Sequence, residues 1–314
     1  MTASRPTGRP NVADKRRHFH GLHREGCFVI PNPWDVGSAL YLQSLGFKAL
    51  ASTSAGFAWS IGRPDNGVTR EAKLAHLAEL VRATDVPINA DFEKGFAVDA
   101  AGVAESVRLA VDAGVAGLSI EDSTGNAASP LYAIDVAVLR LRAARQAIDA
   151  TGGDTLLVGR AECFLVGRPD LDETIARLQA YANAGADCLY APGIADPAQI
   201  AAIVAAVAPK PVNLLVGGPS KLSVAEIAAL GVRRISVGGA LARCAWGGFM
   251  QAAQALAEQG SFAGLAAGAQ GKVLNGLFSP SDPTQRNGIP PLPLQPGGQS
   301  ATLELVNELH DDSP

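Results

Sequence analysis

Residues 89–96, with the sequence NADFEKGF, decide the fold of this chain. They follow a short apolar run at 86–88, which predicts a buried strand, and they precede a helical pattern over 98–114. Asp91 and Glu93 therefore lie at the carboxyl end of a strand, where alternation would point both side chains the same way. In a barrel of alternating strands and helices, this end of the strands carries the chemistry. Two neighbouring carboxylates persist most readily with a cation between them.

The same order of strand and helix repeats through the chain. Strands are predicted at 27–30, 49–53, 86–88, 117–122, 155–160, 187–190, 211–216 and 234–237. Helices are predicted at 36–45, 70–83, 98–114, 134–150, 171–184, 223–230 and 240–258, and a loop at 54–68. Eight strands alternating with helices in roughly 235 residues predict an α/β fold of the (β/α)8 TIM barrel type. A doubly wound sheet is the alternative, but its glycine-rich first turn is missing, since residues 31–35 read PNPWD.

Composition excludes several classes of protein. The 314 residues carry a net charge of −4 with a pI of about 5.8, which argues against nucleic acid as a partner. Hydrophobic residues make up 47% of the chain, enough for a large core. No apolar run approaches the roughly 20 residues that span a bilayer. The four scattered cysteines fit a reducing compartment, so we expect a soluble cytoplasmic protein with no membrane partner.

The pattern divides the chain into three segments. Residues 1–26 predict a basic N-terminal arm or a short first helix, without the apolar region of a secretory signal. Residues 27–278 predict the barrel, and 261–278 within them form an extra helical segment. Residues 279–314 are rich in proline and glycine, which predicts an extended tail with a short docking helix at 302–309.

Polar and charged side chains cluster at the predicted strand ends. Oxygen ligands of this kind suit Mg²⁺ or Mn²⁺ and not zinc. Each of the acids has an alternative interpretation as a helix N-cap or a surface charge, and Asp122 fits that alternative best. The cluster comprises Ser52, Thr53, Ser54 and the loop residue Asp65 after the second strand, Asp91 and Glu93 after the third, Glu121 and Asp122 after the fourth, Arg160 and Glu162 after the fifth, and Asn213 after the seventh.

Other catalytic groups are missing from the strand ends. None of the five histidines lies there, which disfavours a histidine base or a histidine metal ligand. Lys94 closely follows a strand, but a solvated loop lysine is the simpler interpretation, which disfavours a Schiff-base aldolase. The sequence shows no Cys–His pair and no G-x-S-x-G motif.

Arg160 contributes positive charge to this set of strand-end residues. Its planar guanidinium suits a carboxylate or phosphonate substrate, and the alternative is a salt bridge to Glu162. Hydroxyl and backbone N–H groups of residues 52–54 could stabilise an oxyanion. The glycine pairs at 217–218 and 238–239 predict either the phosphate site found in barrels or tight turns.

Five sequence motifs at the ends of predicted strands, taken together and in this order, are specific enough to indicate a protein family. They include PNPWD at 31–35, GRPD at 62–65, DFEKGF at 91–96, SIED at 119–122 and GRAE at 159–162. With these motifs the chain resembles the isocitrate lyase/phosphoenolpyruvate mutase superfamily over about residues 15–278. The superfamily motif after the third strand is D-x-D-x-G-[FY], and here Glu93 replaces its second aspartate.

The resemblance implies a metal-assisted reaction and a particular assembly. The eighth helix of the barrel would be exchanged between paired subunits, with 261–278 as the exchanged part, in a homotetramer built as a dimer of dimers. A pyruvate-like enolate would form beside the metal as a C–C or P–C bond breaks. The implied residues are Asp91, with Glu93, Asp65 and Glu121 largely through water, at Mg²⁺ or Mn²⁺; Ser52, Thr53, Ser54, Ala55, Arg160 and Asn213 at the substrate; and Asp65, Glu121 and Arg160 in catalysis.

The loop after the fourth strand departs from the superfamily pattern. Lyases of the superfamily carry a K-[KR]-C-G-H lid whose cysteine is the general acid, whereas residues 123–130 read STGNAASP. We therefore expect a Mg²⁺-dependent lyase for a small α-keto or α-hydroxy dicarboxylate, similar to oxaloacetate decarboxylase or methylisocitrate lyase. The alternatives are a phosphoenolpyruvate mutase or phosphonopyruvate hydrolase, and a barrel that binds a keto acid without turnover.

Overall fold

Eight short parallel strands form one sheet, and its first and last strands in sequence pair with each other. The computed structural model describes residues 9–279. Around the sheet the order is β1-β8-β7-β6-β5-β4-β3-β2, and the Ala51 N–H donates to the Pro31 carbonyl oxygen (3.0 Å) between β1 and β2. This confirms the predicted TIM barrel. The strands are β1 (Phe28–Ile30), β2 (Leu50–Ala51), β3 (Ile88–Asp91), β4 (Gly117–Glu121), β5 (Leu156–Arg160), β6 (Cys188–Tyr190), β7 (Val212–Leu215) and β8 (Arg234–Ser236).

Helices follow the strands and surround the sheet. All the helices predicted within residues 36–258 are present, with small differences at their ends. The helices are α1 (Val12–Leu22), α2 (Val36–Ser44), α3 (Ser54–Ser60), α4 (Arg70–Ala83), α5 (Ala100–Asp112), α6 (Ile134–Ala150), α7 (Leu171–Asn183), α8 (Pro197–Val207), α9 (Val224–Ala229), α10 (Ala240–Gln259) and α11 (Gly271–Phe278), with a 3₁₀ turn at Ala263–Ala267.

Two helices lie where the pattern predicts none. α3 occupies the first part of the predicted loop, and its N-cap Thr53 accepts a hydrogen bond from the Gly56 N–H (3.2 Å), so the loop prediction for 54–60 is wrong. α8 begins with Pro197 after the N-cap Asp196 and lies between β6 and β7. α3 is too short to show a helical period, and α8 is apolar on nearly every side, so neither has the polar stripe that periodicity detects.

Glycines end several of the predicted helices. A residue just past a helix commonly adopts the left-handed conformation, which glycine enters without steric penalty. The predicted terminators have φ angles of 87° at Gly46, 104° at Gly185, 89° at Gly231 and 61° at Gly260. These helix ends are confirmed.

The basic N-terminal segment contains α1, which closes the bottom of the barrel. Asn11 and Asp14 form a reciprocal cap at its start, and the buried Phe19 packs inside the barrel beside β1, β5 and β6. Lys15 Nζ donates to the Val81 carbonyl oxygen (2.8 Å), and Arg16 Nη2 donates to that of Val111 (2.7 Å). These cations therefore bind carbonyls near the C-terminal ends of α4 and α5, where positive charge is favoured.

Apolar side chains pack in two layers. The outer layer lies between the sheet and the helices, and it includes Leu118, Leu157 and Leu189. The inner layer fills the lower barrel around Phe19 and Val158. The upper end of the lumen is left to polar side chains, which is where the candidate site lies.

The described residues after 268 fall in a second unit, which contains α11. The predicted segment boundaries at 26 and 278 stay predictions. Residues 1–8 of the predicted arm, residues 280–314 of the predicted tail and the docking helix predicted at 302–309 lie outside the described residues. Among residues 9–279, no helix is both long and apolar enough to cross a membrane. All four cysteines are free thiols.

His76 makes the stability of the barrel depend on pH. Its ring stacks on Phe57 with the centroids 3.9 Å apart, and its buried Nε2 has no hydrogen-bond partner. Burial, together with the charge of Lys73, lowers the pKa of His76 to about 3. The unfolded chain takes up a proton here below about pH 6.5 and the native state does not, so stability falls with falling pH.

We expect the change from pH 7 to pH 5 to destabilise the wild type by about 2 kcal/mol more than His76→Gln. Urea unfolding at both pH values measures this difference, which does not depend on the stability of the variant at pH 7. His18→Gln, in an exposed position of α1, is the control and should keep the wild-type response. Equal pH responses of His76→Gln and the wild type would contradict a neutral buried imidazole.

Candidate active site

A cavity of about 160 Å³ opens at the carboxyl ends of the strands. It gathers residues from β2 and its loop, β3, β5 and the turn after β8. The sequence-predicted residues in its wall are Thr53, Ser54, Ala55, Asp65, Asp91 and Arg160. The fold therefore brings together the predicted oxyanion donors, the central carboxylate and the guanidinium.

Four of the residues that the resemblance implies at the metal, at the substrate or in catalysis lie outside the wall of this cavity, and all four are buried. Ser52 Oγ accepts a hydrogen bond from the Asp91 N–H (3.0 Å). Asn213 donates from Nδ2 to Ser236 Oγ (2.9 Å). Glu93 and Glu121 lie behind the wall. Ser52 and Asn213 therefore support the site from behind in this structure, and direct substrate contact by either stays a prediction.

Asp91 is the central carboxylate of the cavity. Its Oδ2 accepts a hydrogen bond from the Ser54 N–H (2.9 Å), and its Oδ1 accepts one from Arg160 Nη1 (3.2 Å). Burial alone would raise the pKa of Asp91, but the charges of Arg160 and Lys73 and the Ser54 N–H outweigh burial and lower this pKa. Asp91 is therefore an ionised oxygen donor facing the cavity.

Arg160 links the carboxylates of three strand ends. Besides Asp91, its Nη1 lies 3.4 Å from Glu121 Oε2, and its Nε donates to Glu162 Oε1. Burial disfavours its charge, but Glu162 and Glu121 outweigh burial and raise the pKa of Arg160 further. Its guanidinium carbon lies 5.1 Å from the centre of the Tyr190 ring. The salt bridge to Glu162 is present, and Arg160 also lines the cavity, so a role in substrate binding stays a prediction.

Burial raises the pKa of two further carboxyl groups. It raises the pKa of Glu93 to about 7, and the negative charge of Asp91 adds to the shift. Burial also raises the pKa of Glu121, in spite of Arg160. Glu93 follows the end of β3 with a φ of 50°, so the strand alternation expected from the sequence does not extend to it. The backbone at Glu93 is in a conformation that non-glycine residues rarely adopt.

Lys73 is a buried titratable neighbour of this site that sequence reasoning missed. It lies on α4 with its side chain fully buried, and Nζ has no hydrogen-bond partner. Burial lowers the pKa of Lys73, while Asp91, Glu93 and Asp65 oppose the shift. Nothing in the sequence marks a helical lysine as a neighbour of a strand end, because their proximity depends on how α4 packs.

The donor set fits a hard divalent cation. Within residues 9–279, no three Asp, Glu, His or Cys side chains are arranged as an enclosing metal cage. Mg²⁺ does not need one, because it usually keeps several waters and binds one or two carboxylates together with the substrate. Asp91 and Asp65 both line the cavity. The pKa values of Glu93 and Glu121 are raised in the protein alone, and a cation bound nearby would lower them and favour the ionised forms.

Asp122 supports the loop that follows Arg160. Its Oδ1 accepts a hydrogen bond from the Glu162 N–H (2.8 Å), and its Oδ2 accepts bonds from Arg177 Nη1 (3.0 Å) and Tyr181 Oη (2.5 Å). The interpretation of Asp122 as a helix cap or surface charge is wrong, since the side chain is buried in this network. The carboxylate fixes Glu162, which in turn pairs with Arg160.

The segment in place of the lyase lid is a short turn closed on itself. The Thr124 N–H donates to the Pro130 carbonyl oxygen (2.9 Å), and Asn126 Oδ1 accepts a bond from the Ala128 N–H (3.0 Å).

At the glycine pair 238–239, the Gly238 N–H donates to the buried side chain of Asn32 (2.9 Å). The N–H of Gly238 is thus already bonded in this structure, as in a tight turn.

Comparison with known proteins identifies the family. The family model described as phosphoenolpyruvate phosphomutase matches residues 19–257, which covers most of the chain and every strand of the barrel. The chain belongs to the phosphoenolpyruvate mutase/isocitrate lyase superfamily. The resemblance inferred from the strand-end motifs is confirmed.

Curated relatives in this superfamily differ in their activities. An uncharacterized protein of Mycobacterium tuberculosis is 34% identical over 70% of this chain and 81% of its own length. An oxaloacetate decarboxylase of Paraburkholderia xenovorans is 31% identical over 71% of this chain and 75% of its own. A 2-methylisocitrate lyase of Escherichia coli is 31% identical over 56% and 60%. Lyases of different substrates therefore lie at similar distances from this chain.

A similar solved structure supports the architecture. A Burkholderia cenocepacia J2315 protein, provisionally named a lyase/mutase, is 49% identical with a TM-score of 0.83. The match covers 86% of this chain and 98% of that one. Its name leaves open the same choice between lyase and mutase.

We expect Asp122→Asn to lower the free energy of unfolding by about 2 kcal/mol, because it removes one of the two carboxylates that pair with the buried Arg177 and leaves Glu173 as the other. Urea unfolding measures the change. Asp112→Asn is the matched control, since it removes the carboxylate of an exposed pair with Arg108, and it should remain close to the wild type. Equal effects of the two substitutions would show that the Asp122 network is not a major support of the barrel.

Proposed function

We propose that this protein is a Mg²⁺-dependent carbon–carbon lyase for a small α-keto or α-hydroxy dicarboxylate, with decarboxylation of oxaloacetate as its reaction. The observation that carries the proposal is the ionised Asp91 in the cavity wall, bonded to the Ser54 N–H and to Arg160. The oxaloacetate decarboxylase among the relatives supports this reaction.

The metal would be held by Asp91, with Asp65, Glu93 and Glu121 acting through bound water. When bound, Mg²⁺ supplies Lewis-acid stabilisation of the negative charge that develops on the substrate. Asp91 is prepared for this role because two hydrogen bonds fix its carboxylate and keep it ionised. Mn²⁺ has similar ligand preferences and is the alternative ion.

The chain's own groups would hold and orient the substrate. The Ser54 N–H is already bonded to Asp91, so the Ala55 N–H, at the start of α3 and in the cavity wall, is the amide left for a developing oxyanion. Arg160 would bind the substrate carboxylate with guanidinium hydrogens that its three carboxylate partners do not use. Both contacts would hold the carboxylate and the keto oxygen in fixed positions.

The turn at 123–130 supports decarboxylation over methylisocitrate cleavage. That segment contains no cysteine, histidine or lysine that could protonate a leaving group. Loss of carbon dioxide needs no such acid, and the enolate that remains can take its proton from water at the cavity mouth. Because this loop supplies no general acid, a reaction in which carbon dioxide leaves is favoured over one whose leaving group must be protonated.

We expect the purified protein to release carbon dioxide and pyruvate from oxaloacetate with Mg²⁺ and to lose this activity in EDTA. Asp91→Asn should reduce the metal-dependent turnover about 100-fold, because it removes the ionised ligand. Asp112→Asn, on the outer face of α5, is the matched control with wild-type activity. Full activity in EDTA, after correction for spontaneous decay of oxaloacetate, would contradict the mechanism.

Two further experiments test the alternative functions. Release of phosphate from phosphonopyruvate would favour the P–C chemistry that the name of the matching family suggests. Calorimetric binding of a keto acid, without turnover of either compound, would favour a barrel that only binds its ligand.

We also propose that α10 packs against a second copy of the chain, as in the helix exchange expected from the superfamily. Of the side chains on α10, only Ala242 is buried. Large apolar side chains on α10 remain exposed, and Phe249 is 63% exposed and Met250 58% exposed. An apolar helix face of this kind commonly marks a protein–protein contact.

We expect light scattering to give a tetramer for the wild type and a smaller species for Phe249→Asp, since a charge in an apolar interface is strongly unfavourable. Val98→Asp is the control, because Val98 is 81% exposed and lies before α5. A monomeric wild type would refute the proposed exchange.

A further inference from the structure

The cavity continues below the proposed metal site into the lumen of the barrel. Its wall includes Asp65 and Gly239 at the mouth, and Asn89, Ser119 and Arg234 further down. Arg234 is the first residue of β8 and is 2% exposed. A second guanidinium thus lines the same cavity as Arg160, from the opposite end.

The hydrogen-bond partners of Arg234 are all neutral. Its Nε donates to Asn213 Oδ1 (2.7 Å), and its Nη1 donates to Asn89 Oδ1 (3.2 Å) and lies 3.5 Å from His23 Nε2. Burial and the charge of Arg234 lower the pKa of His23 to about 3, so the imidazole is uncharged. His23 Nδ1 bonds to the Phe19 carbonyl oxygen (2.8 Å), which leaves Nε2 as an acceptor.

Arg234 therefore differs from the other buried arginine of this cavity. Arg160 has three carboxylates within 3.4 Å. Within residues 9–279, Arg234 forms no ion pair with a carboxylate. Its Nη2 donates no hydrogen bond to any residue of that range. Its second terminal nitrogen is consequently available at the floor of the cavity.

An unpaired buried charge is strongly unfavourable, and a guanidinium cannot escape the penalty by losing its proton. Neutral amide oxygens reduce the penalty without cancelling the charge. An anion that enters the cavity would provide the missing countercharge. The cavity has room for at least about five water molecules, and hence for a small organic acid.

We propose that Arg234 binds the second carboxylate of a dicarboxylate ligand, at the floor of the cavity. The inference rests on the proposed function for the mouth, where the first carboxylate would lie near Asp91 and Arg160. Arg234 would then select dicarboxylates over monocarboxylates, and it is a specificity residue that no strand-end motif includes. The selected class is a short dicarboxylic acid whose two charges span the mouth and the floor.

The test compares two ligands that differ by one carboxylate, L-malate and L-lactate, by calorimetry with Mg²⁺ in chloride-free buffer. We expect the wild type to bind malate at least about tenfold more tightly than lactate, and Arg234→Gln to remove most of this preference while leaving lactate binding within about twofold. Arg233→Gln is the matched control, since Arg233 is the half-buried neighbour in sequence that bonds to the Gly26 carbonyl oxygen (2.9 Å) and does not line the cavity.

Several outcomes would overturn the proposal. A wild type without preference for malate refutes it even if Arg234→Gln fails to fold. An equal loss of malate and lactate binding in Arg234→Gln would indicate a purely structural role. Stabilisation of the wild type by chloride alone, with no malate preference, would indicate a small free anion at Arg234.

The proposed function fails in a distinguishable way. Malate selectivity that depends on Arg234, without turnover of oxaloacetate, would retain the floor site and refute the lyase. If the protein turns over oxaloacetate and Arg234→Gln has the same KM as the wild type, the lyase function is retained and the floor site is refuted.

Discussion

The charge balance around Arg160 is the constraint on which the site depends. A carboxylate removed from water stays ionised only beside compensating charge. Arg160 contacts three buried carboxyl groups, those of Asp91, Glu121 and Glu162, and it helps to lower the pKa of Asp91 against the effect of burial. The parallel register of β4 and β5 pairs Glu121 with Arg160 directly, so the contact follows from the sheet itself. The support continues outward, because Asp122 holds Glu162 in place from a buried network that includes Arg177.

The interior of the barrel changes character along its axis. Phe19 and its apolar neighbours close the bottom, a layer of amides with Arg234 lies above them, and the ionised groups surround the mouth. This order separates two tasks. The apolar layer stabilises the barrel, and the polar layers determine which ligand the cavity accepts. Superfamily membership fixes the common architecture, while the loop at 123–130 and the lumen residues are where its members can differ in chemistry.

Much of the fold could be predicted because its signals are local. Short apolar runs marked the strands, and glycines marked the helix ends, as at Gly46 and Gly185. The predictions failed where local signals are weak. α3 is too short for a period, and α8 has no polar face. The docking of α1 under the barrel depends on contacts with α4 and α5, which no local pattern contains.

The sequence by itself determined the barrel, the family and the strand-end residues at the cavity mouth, because a parallel barrel brings all the carboxyl ends of its strands to one face. Only the tertiary structure decided which of those residues line the cavity and which support it from behind, as Ser52 and Asn213 do. It also decided the positions of Lys73 and Arg234, one on a helix and one at the start of a strand. Burial and charge pairing depend on neighbours that are distant in sequence, and these set the electrostatics of the site.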